Sequence, residues 1–313
     1  MLTRLLNPKK IKKNDLDTFW ELGWYRMEKS IFTTNFLKFR EIFYSAIWLR
    51  ITLENFKLTK TQIKIKKINA GFRAEIKPHQ FSQSQDLLYQ KYRASIQFEA
   101  SPSNRDILGD CKEDLFYTLD FNVFDGEKLI ACGYLDLGKT ASAGISCFYD
   151  PDYKQYSLGK YLMVLKMEYS KALGLKYFYP GYFAPNYPLF DYKLQLNKPN
   201  LEYFNVTTNI WHSFQEFDYE QIPLEIMHQE LKKMAELLEQ SKISHKLYFY
   251  EFFAAEMMPS LNGQALLDFP IFIEIFPKSN TIQQTIVVFD IRDQLFKVFE
   301  CIRCFFSNDC SCN

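Results

Sequence analysis

The sequence predicts an α+β fold for its central part, on three observations. Two segments rich in aromatic and β-branched residues, LFYTLDFNVF and KLIACGYLDL, flank Asp125-Gly126, which is a strong signal for a β-hairpin. GISCFYD supplies a third strand, and an amphipathic helix then begins at Ser157 and ends at Gly174. KYFYPGYF follows as a fourth strand. Antiparallel strands connected to a further strand by one crossover helix are typical of an α+β unit.

The chain before this unit is predicted to form a smaller α+β module. SIFTTNF, YSAIWLRITLENF and FRAEIKP are strand-like, and ASPSNRDILGD marks the boundary with the central unit. A first helix is predicted over residues 14–22, with Asn14 or Asp15 as its cap and Gly23 as its end. A second helix begins at Thr59, which forms a capping box with Gln62. A third helix is predicted over residues 83–97.

The chain after residue 200 is predicted to be a C-terminal α/β extension. It contains a helix near residues 221–241, followed by KLYFYEFFAA, FPIFIEIFP and TIVVFDIRDQLFKVFE as strands. The sequence therefore predicts three parts: an N-terminal basic module (1–110), the central unit (111–200) and the extension (201–313), whose role the sequence does not assign.

Composition excludes several classes of protein. A hydrophobic fraction of 47% and a charged fraction of 24% over 313 residues predict a folded chain rather than a disordered one. No apolar run reaches the length of a membrane span and the N-terminus has no apolar signal segment, so a cytoplasmic protein is expected. Because the net charge is +1, a polyanionic partner must be bound by a local basic patch.

The helix that begins at Ser157 has a start suited to an anion. Ser157 is the predicted N-cap, Gly159 permits close approach, and Lys160 adds a positive charge beside the free N–H groups of the first turn. Apolar residues lie on two of its sides, so we expect the helix to be largely buried. An ordinary capped core helix with a surface lysine is the alternative interpretation.

Longer segments around this helix resemble the arginyl-tRNA-protein transferase family. The central segment is CFYDPDYKQYSLGKYLMVLKMEYSKALGLKYFYPGYFAPNYPLFDYK, residues 147–193. Upstream, GWYRMEKSIFTTNF and LENFKLTKTQIKIKKINAGF are similar to two further family regions, in the same order. The resemblance covers roughly residues 20–195 and identifies the chain as a divergent member of the family.

The resemblance implies a fold and a reaction. The fold is of the acetyltransferase (GNAT) type, with a mixed sheet, a splayed strand and flanking helices. The reaction transfers arginine or leucine from aminoacyl-tRNA to the α-amine of proteins that begin with Asp or Glu, which marks them for degradation. An aminoacyl ester is already activated, so no cofactor is required and aminoacyl-tRNA is the co-substrate; the absence of a catalytic triad is compatible with an enzyme.

The resemblance also implies site residues. Family positions on the acceptor side, with catalytic roles, correspond to Tyr182, Tyr192 and Lys193. The donor-binding positions correspond to Ser157, Gly159, Lys160 and Tyr161, with Tyr149 and Asp150 at the edge of the splayed strand. The tyrosines are equally compatible with sheet aromatics that pack on the helix.

A lysine stripe is the predicted tRNA-binding surface. Lys60, Lys64 and Lys67 follow helical spacing on one side of the second helix, opposite Thr61, Ile65, Ile68 and Phe72, and Arg73 follows in the next strand. A solvated helix face is the alternative interpretation of the same charges.

The sequence departs from the family in its cysteines. The family's N-terminal cysteine cluster is absent from TTNFLKFREIFYSAIWLRI, which excludes a metal site there. Cys301, Cys304, Cys310 and Cys312 are a weak metal candidate near the C-terminus, and unliganded terminal thiols are the favoured interpretation. APNYPLFDY, residues 184–192, also differs from the family pattern, and Asp191 stands where that pattern is often basic or neutral.

Three rival functions remain open at the level of sequence. An acyl-CoA-dependent N-acetyltransferase would also place a pyrophosphate at the Ser157 helix start. A non-catalytic tRNA-binding relative would explain the departures from the family pattern. GYLDLGKT, residues 133–140, matches the P-loop formula, but its flanking residues are strand-like and favour a hairpin turn.

Overall fold

The computed structural model describes residues 3–109, 115–258, 261, 266–276 and 283–302. Its N-terminal part forms the three predicted helices, one further short helix and several short strands. In chain order these are β1 (Thr3–Leu6), α1 (Lys13–Glu21), β2 (Tyr25–Met27), β3 (Ser30–Thr34), β4 (Phe36–Phe39), β5 (Ile42–Ser45), β6 (Ile47–Thr52), α2 (Lys60–Ile68), β7 (Arg73–Pro78), α3 (Gln83–Ser95) and α4 (Asn104–Leu108).

The central part confirms the predicted order of strands and helix. Its elements are β8 (Thr118–Asp125), β9 (Lys128–Leu137), β10 (Ala141–Tyr149), α5 (Leu158–Ala172) and β11 (Tyr177–Phe183). Gly126 takes a positive φ of 56° in the β8–β9 hairpin, as the Asp-Gly signal predicts. A 3-10 segment, Pro151–Tyr156, precedes α5, and another, Pro188–Gln195, follows β11.

The C-terminal part adds two strands and then a separate four-stranded sheet. The elements are β12 (Leu201–Asn205), β13 (Ile210–Ser213), α6 (Pro223–Gln240), β14 (His245–Phe249), β15 (Ile271–Ile275), β16 (Gln283–Asp290) and β17 (Leu295–Ile302). The strand predicted over KLYFYEFFAA stops at Phe249, and the chain continues as a 3-10 segment, Glu251–Met257.

One eight-stranded mixed sheet joins the three predicted parts. Its strand order is β13-β12-β6-β11-β10-β9-β8-β7. β6 and β7 come from the N-terminal part, and β12 and β13 come from the C-terminal part. The division into 1–110, 111–200 and 201–313 therefore does not follow the sheet, because strand pairing over long sequence separations leaves no local signal.

The sheet opens between its two parallel strands. β10 and β11 pair only where Ala141–Ala143 lies beside Tyr177–Tyr179. Beyond this point β10 has a register shift between Gly144 and Ser146, and β11 has one before Gly181, whose φ is +89°. Bulges bend strands and re-aim their side chains, so the two strands diverge and leave a V-shaped opening in the sheet.

Helices cover both faces of the sheet beside this opening. α5 is buried on two sides, as expected: Leu158, Leu162 and Met167 are fully enclosed, and Val164 is 1% exposed. On the opposite face, α3 packs Leu88 and Tyr89 against Cys132, Tyr134 and Phe148. The opening is therefore framed by a helix on either side, with rigid strands between them.

One expectation for the N-terminal helices is wrong, and the buried side of the second helix differs from its apolar pattern. α1 has Lys12, not Asn14 or Asp15, as its N-cap residue. The capping box of Thr59 and Gln62 in α2 is confirmed, but the buried side of α2 consists of Gln62, Ile65 and Asn69, whereas Thr61 is exposed and Ile68 is 45% exposed. Buried amides replace apolar residues because Gln62 donates to the carbonyl of Leu196 and Asn69 to that of Tyr156.

Candidate functional site

A cavity of about 750 Å³ occupies the opening between β10 and β11. Its walls are β10 beyond the bulge, the first turn of α5, and the 3-10 segment Pro188–Gln195. Tyr89 and Tyr92 of α3 also line it, so the cavity reaches both faces of the sheet. We call this space the splay cavity; its volume lies within the range of small-molecule sites.

The splay cavity brings together most of the residues that the sequence predicts for the site. These are Tyr149, Ser157, Gly159, Lys160, Tyr182, Tyr192 and Lys193. The other two, Asp150 and Tyr161, are not among its lining residues. Tyr161 is 7% exposed and belongs to the core beneath α5, and Asp150 is 1% exposed.

Asp150 has a structural role beside the cavity. Its carboxylate lies 2.6 Å from Lys91 Nζ and 2.8 Å from Lys128 Nζ, and it accepts a hydrogen bond from the backbone N–H of Asp152. Burial alone raises the pKa of such a carboxyl, but these two lysines hold the pKa of Asp150 below its ordinary value. The ion pairs fix the turn that leads from β10 into the start of α5.

Ser157 occupies the N-cap position of α5 without acting as a cap. Its backbone is left-handed, with φ 52° and ψ 43°, and its side chain makes no capping hydrogen bond. Ser157 is at the same time the last, left-handed residue of the preceding 3-10 segment, and it separates that segment from α5. Ser157 therefore occupies the predicted N-cap position, but the prediction that its side chain caps the helix is wrong. The N–H groups of the first turn have no side-chain cap beside the cavity.

Replacement of Ser157 tests this geometry. We expect Ser157→Ala to change the free energy of unfolding by less than about 0.5 kcal/mol, because no cap is lost. Ser157→Gly should stabilise the protein by about 0.5–1 kcal/mol, because glycine adopts the left-handed conformation without strain. Denaturant unfolding measures both. A loss of about 1 kcal/mol in the alanine variant would show that Ser157 caps the helix.

Lys193 is a buried amine in the wall of the splay cavity. It is 8% exposed, and its Nζ donates a 2.6 Å hydrogen bond to the carbonyl of Tyr182. The rings of Phe190 and Tyr182 lie 4.8 and 5.3 Å from it. No carboxylate of the described chain pairs with it, and burial lowers the pKa of Lys193 to about 7. An amine with this pKa can accept and release a proton near neutral pH.

The two predicted tyrosines differ in their surroundings. The ring of Tyr182 packs edge-on against Trp48 and Phe190, with centroids 5.2 and 5.3 Å away, and burial raises the pKa of Tyr182 to about 12. Tyr192 is 36% exposed. Tyr182 is thus held rigidly as a neutral phenol, whereas Tyr192 presents its ring to the cavity.

Lys166 is a residue at the opening that sequence reasoning missed. It is fully buried, and its Nζ donates to the carbonyl of Ser146 at 2.7 Å and contacts Cys147 Sγ at 3.2 Å. These contacts fix the bulge in β10 from beneath. The sequence does contain a signal for this role, because Lys166 lies among the apolar, buried positions Leu162, Met163 and Met167 of α5. A lysine on the apolar side of a helix needs a partner for its charge.

The lysine stripe of α2 is exposed as predicted. Lys60, Lys64 and Lys67 are all exposed, and none of them pairs with a carboxylate elsewhere in the described ranges. Arg73 lies apart from the stripe on β7, where it is 3.1 Å from Glu75 and stacks over Phe124. The stripe therefore keeps its three charges available, whereas Arg73 is already engaged.

The P-loop interpretation of GYLDLGKT is not supported. Gly133–Leu137 lies within β9, and Lys139 and Thr140 form the turn into β10. The Asp17 carboxylate accepts hydrogen bonds from the backbone N–H groups of Lys139 and Thr140, at 3.1 and 2.7 Å. A carboxylate from α1 thus fills the place that a phosphate would take in a P-loop.

The described residues contain no cluster of three or more His, Cys, Asp or Glu that could hold a metal ion. Of the four C-terminal cysteines, Cys301 lies in β17, while Cys304, Cys310 and Cys312 fall outside the described residues. Within the same described part, no helix has the length and apolar character needed to cross a membrane.

Comparison with known proteins places this site in a family context. Residues 84–202 match the family model described as arginine-tRNA-protein transferase, C terminus. This range contains α3 except its first residue, the central strands, α5 and the whole segment Pro188–Gln195, and therefore most of the splay cavity.

Curated relatives are named aspartate/glutamate leucyltransferase. The protein from Leptospira interrogans is 27% identical over 59% of this chain and 73% of its own length. The protein from Granulibacter bethesdensis is 29% identical over 48% of this chain and 57% of its own length. The protein from Campylobacter jejuni is 25% identical over 46% of this chain and 63% of its own length. A solved DUF2156 domain from Agrobacterium fabrum matches 48% of this chain with a TM-score of 0.34 and 14% identity.

Proposed function

This protein belongs to the aminoacyl-tRNA-protein transferase family and is by that membership an aminoacyltransferase, and from this premise we propose that it transfers leucine to proteins with an acidic first residue. The names of the curated relatives favour leucine over arginine and aspartate or glutamate as the acceptor residue. Aminoacyl-tRNA is the co-substrate, and we place the reaction in the cytoplasm, where charged tRNA is used.

The fold that we propose for the catalytic part is of the acetyltransferase type. The short parallel pairing of β10 and β11, their divergence beyond Ala143, and the start of α5 at the opening support this proposal. The opening gives the donor a route from the α5 face and the acceptor a route from the α3 face. Direct transfer then needs both substrates bound at the same time.

The donor's reactive end is proposed to lie at the start of α5. Ser157, Gly159 and Lys160 line the cavity there, and the first-turn N–H groups have no side-chain cap. Those N–H groups can hydrogen-bond the oxyanion that develops on the ester carbonyl, and Lys160 adds a positive charge nearby. Tyr149 forms the opposing wall, with its ring beside Gly159.

Lys193 is proposed as the group that takes the acceptor's proton. The α-ammonium of the acceptor must lose a proton before its nitrogen attacks the ester carbon, and the pKa of an α-amine is near 8. Neutral Lys193 accepts that proton, the C–N bond forms, and the bond to the ribose oxygen breaks. The attacking nitrogen then loses a second proton, which the departing ribose oxygen takes, so the products are a peptide bond, free tRNA and protonated Lys193. Tyr182 positions Lys193 through its carbonyl.

Gly159→Ala tests the donor position without damage to the fold. A Cβ there would lie 3.4 Å from Tyr149 Cε1, an ordinary contact, and alanine is a better helix former by about 0.5–1 kcal/mol. We expect a protein that is more stable but has a several-fold higher KM for leucyl-tRNA, because the methyl group narrows the cavity. An unchanged KM in the stabilised variant would place the donor elsewhere.

A competition assay tests the proposed amino acid and donor. The purified protein is incubated with an Asp-initiated peptide and an equimolar mixture of leucyl-tRNA and arginyl-tRNA carrying different labels, and we expect leucine in the peptide. Predominant incorporation of arginine into the peptide would mean that arginyl-tRNA, and not leucyl-tRNA, is the donor. Coenzyme A serves as the control for the acyl-CoA alternative: thermal stabilisation by coenzyme A, together with no transfer from either tRNA, would overturn the proposal.

A further inference from the structure

A second cavity of about 320 Å³ adjoins the splay cavity. It lies between the start of α2, the first two turns of α5 and the segment after Tyr192, and both cavities are lined by Lys160 and Tyr192. Its floor is apolar and buried, formed by Ile65, Val164 and Leu196. An apolar floor of this kind suits a flat ligand that leaves water.

Tyr192 is the aromatic side chain between the two cavities. Within the described residues its ring contacts no other aromatic ring and its hydroxyl makes no hydrogen bond, although it is only partly exposed. Neighbouring rings are engaged: Phe190 contacts both Tyr182 and Tyr187. An aromatic ring that lines a cavity and has no ring partner can stack on a nucleobase.

The rim of the second cavity is polar and positively charged. Thr61 and Gln195 lie on it with exposed side chains, and Lys160 and Lys198 form no ion pair in the part of the chain that the structure describes. Thr61 is flanked on α2 by Lys60, the first residue of the lysine stripe. Positive charges thus continue from the cavity rim along α2, as the backbone of a nucleic acid requires.

We infer that the second cavity binds the terminal adenosine of the donor tRNA, with the adenine stacked on Tyr192. This inference rests on the proposed function and assigns a place to one part of its donor. The ester carbonyl then lies in the splay cavity, the adenine lies in the second cavity, and the preceding phosphates lie between its lysines and the stripe. The competing occupant of the same space is the leucine side chain.

The test uses a ligand without an amino acid. The trinucleotide CCA and the same trinucleotide lacking its terminal base are titrated against the full-length protein. We expect wild type to bind CCA roughly tenfold or more tightly than the base-less ligand. Thr61→Trp, which fills the cavity from its exposed rim, should abolish that difference, whereas Ile68→Trp, an exposed site two turns along the same helix, should retain it.

Two substitutions of Tyr192 separate stacking from chemistry. Tyr192→Phe should keep the preference for CCA, because the phenylalanine ring can still stack, and Tyr192→Leu should lose that preference. If Tyr192→Phe loses transfer but keeps the preference for CCA, the hydroxyl has a chemical role beyond stacking, and the assignment of the cavity still holds. Melting curves establish that each variant is folded.

The outcomes distinguish this inference from the proposed function. If wild type transfers leucine from leucyl-tRNA but Thr61→Trp keeps the preference for CCA, the inference is wrong and the function stands. If Thr61→Trp instead alters the choice among aminoacyl groups, the cavity holds the leucine side chain. If wild type neither binds tRNA nor transfers leucine, the proposed function itself fails.

Discussion

Lys193→Met is expected to remove transfer activity and to make the protein more stable. The amine sits 8% exposed in the cavity wall without a carboxylate partner among the described residues, and burial lowers the pKa of Lys193 to about 7. A proton acceptor at the reacting amine contributes roughly 100-fold or more to rate. Methionine fills the same volume without a charge, so activity falls while packing is kept.

The gain in stability has a defined pH dependence. In the unfolded chain this lysine keeps its ordinary pKa of 10.5, so between pH 7 and 10.5 the unfolded state binds a proton that the folded state lacks. Wild-type stability therefore rises with pH through this window, and the cost of the buried amine is largest below pH 7. At neutral pH we expect Lys193→Met to raise the free energy of unfolding by about 1–3 kcal/mol. This is smaller than the whole free energy that corresponds to the lowered pKa of Lys193.

Denaturant unfolding at pH 6.5 and pH 9.5 measures this prediction. The stability difference between variant and wild type should shrink at the higher pH. The transfer rate of wild type should rise with pH through an apparent pKa near 7, and this limb should be absent from any residual activity of the variant. Full activity in Lys193→Met, or a less stable variant at both pH values, contradicts the assigned role.

The triple variant Lys60→Gln, Lys64→Gln and Lys67→Gln is expected to weaken tRNA binding strongly. The three side chains are exposed on α2 and form no ion pair in the described part of the chain, so each can neutralise a phosphate. Loss of three phosphate contacts should reduce the slope of log affinity against log salt by about 2–3 and lower the affinity roughly 10- to 100-fold at low salt.

A matched control removes the same charge elsewhere. Lys232, Lys233 and Lys242 are exposed on or just after α6, which packs on the separate four-stranded sheet and does not line the splay cavity. Their replacement by glutamine gives the same change in net charge. We expect that variant to keep the wild-type salt slope. Equal effects of the two triple variants would mean that the stripe has no special place in tRNA binding.

The local elements of the fold could be predicted from the sequence because their signals are local. Asp125-Gly126 determines a hairpin through backbone conformation alone, and the apolar positions of α5 together with Gly174 define that helix and its end. The capping box at Thr59 is likewise contained within four residues. Each signal depends on neighbours in the chain and not on the rest of the fold.

The architecture of the site could not be predicted in the same way. The opening depends on bulges in β10 and β11, and the sheet depends on β6 and β12, which pair across about 150 residues of sequence. Ser157 matches the N-cap preference by residue type, yet the turn before α5 places it in a left-handed conformation. The burial that shifts the pKa of Lys193 arises only once the segment Pro188–Gln195 packs on β11.

The most direct measurement is the mass of an acceptor peptide after incubation with the protein and leucyl-tRNA. Peptides that differ only in their first residue, Asp, Glu or Ala, are compared by mass spectrometry. The proposed function predicts that the Asp and Glu peptides gain the mass of one leucine residue at the α-amine and that the Ala peptide is unchanged. No gain on any peptide, with tRNA shown to be charged and the protein shown to be folded, would contradict it.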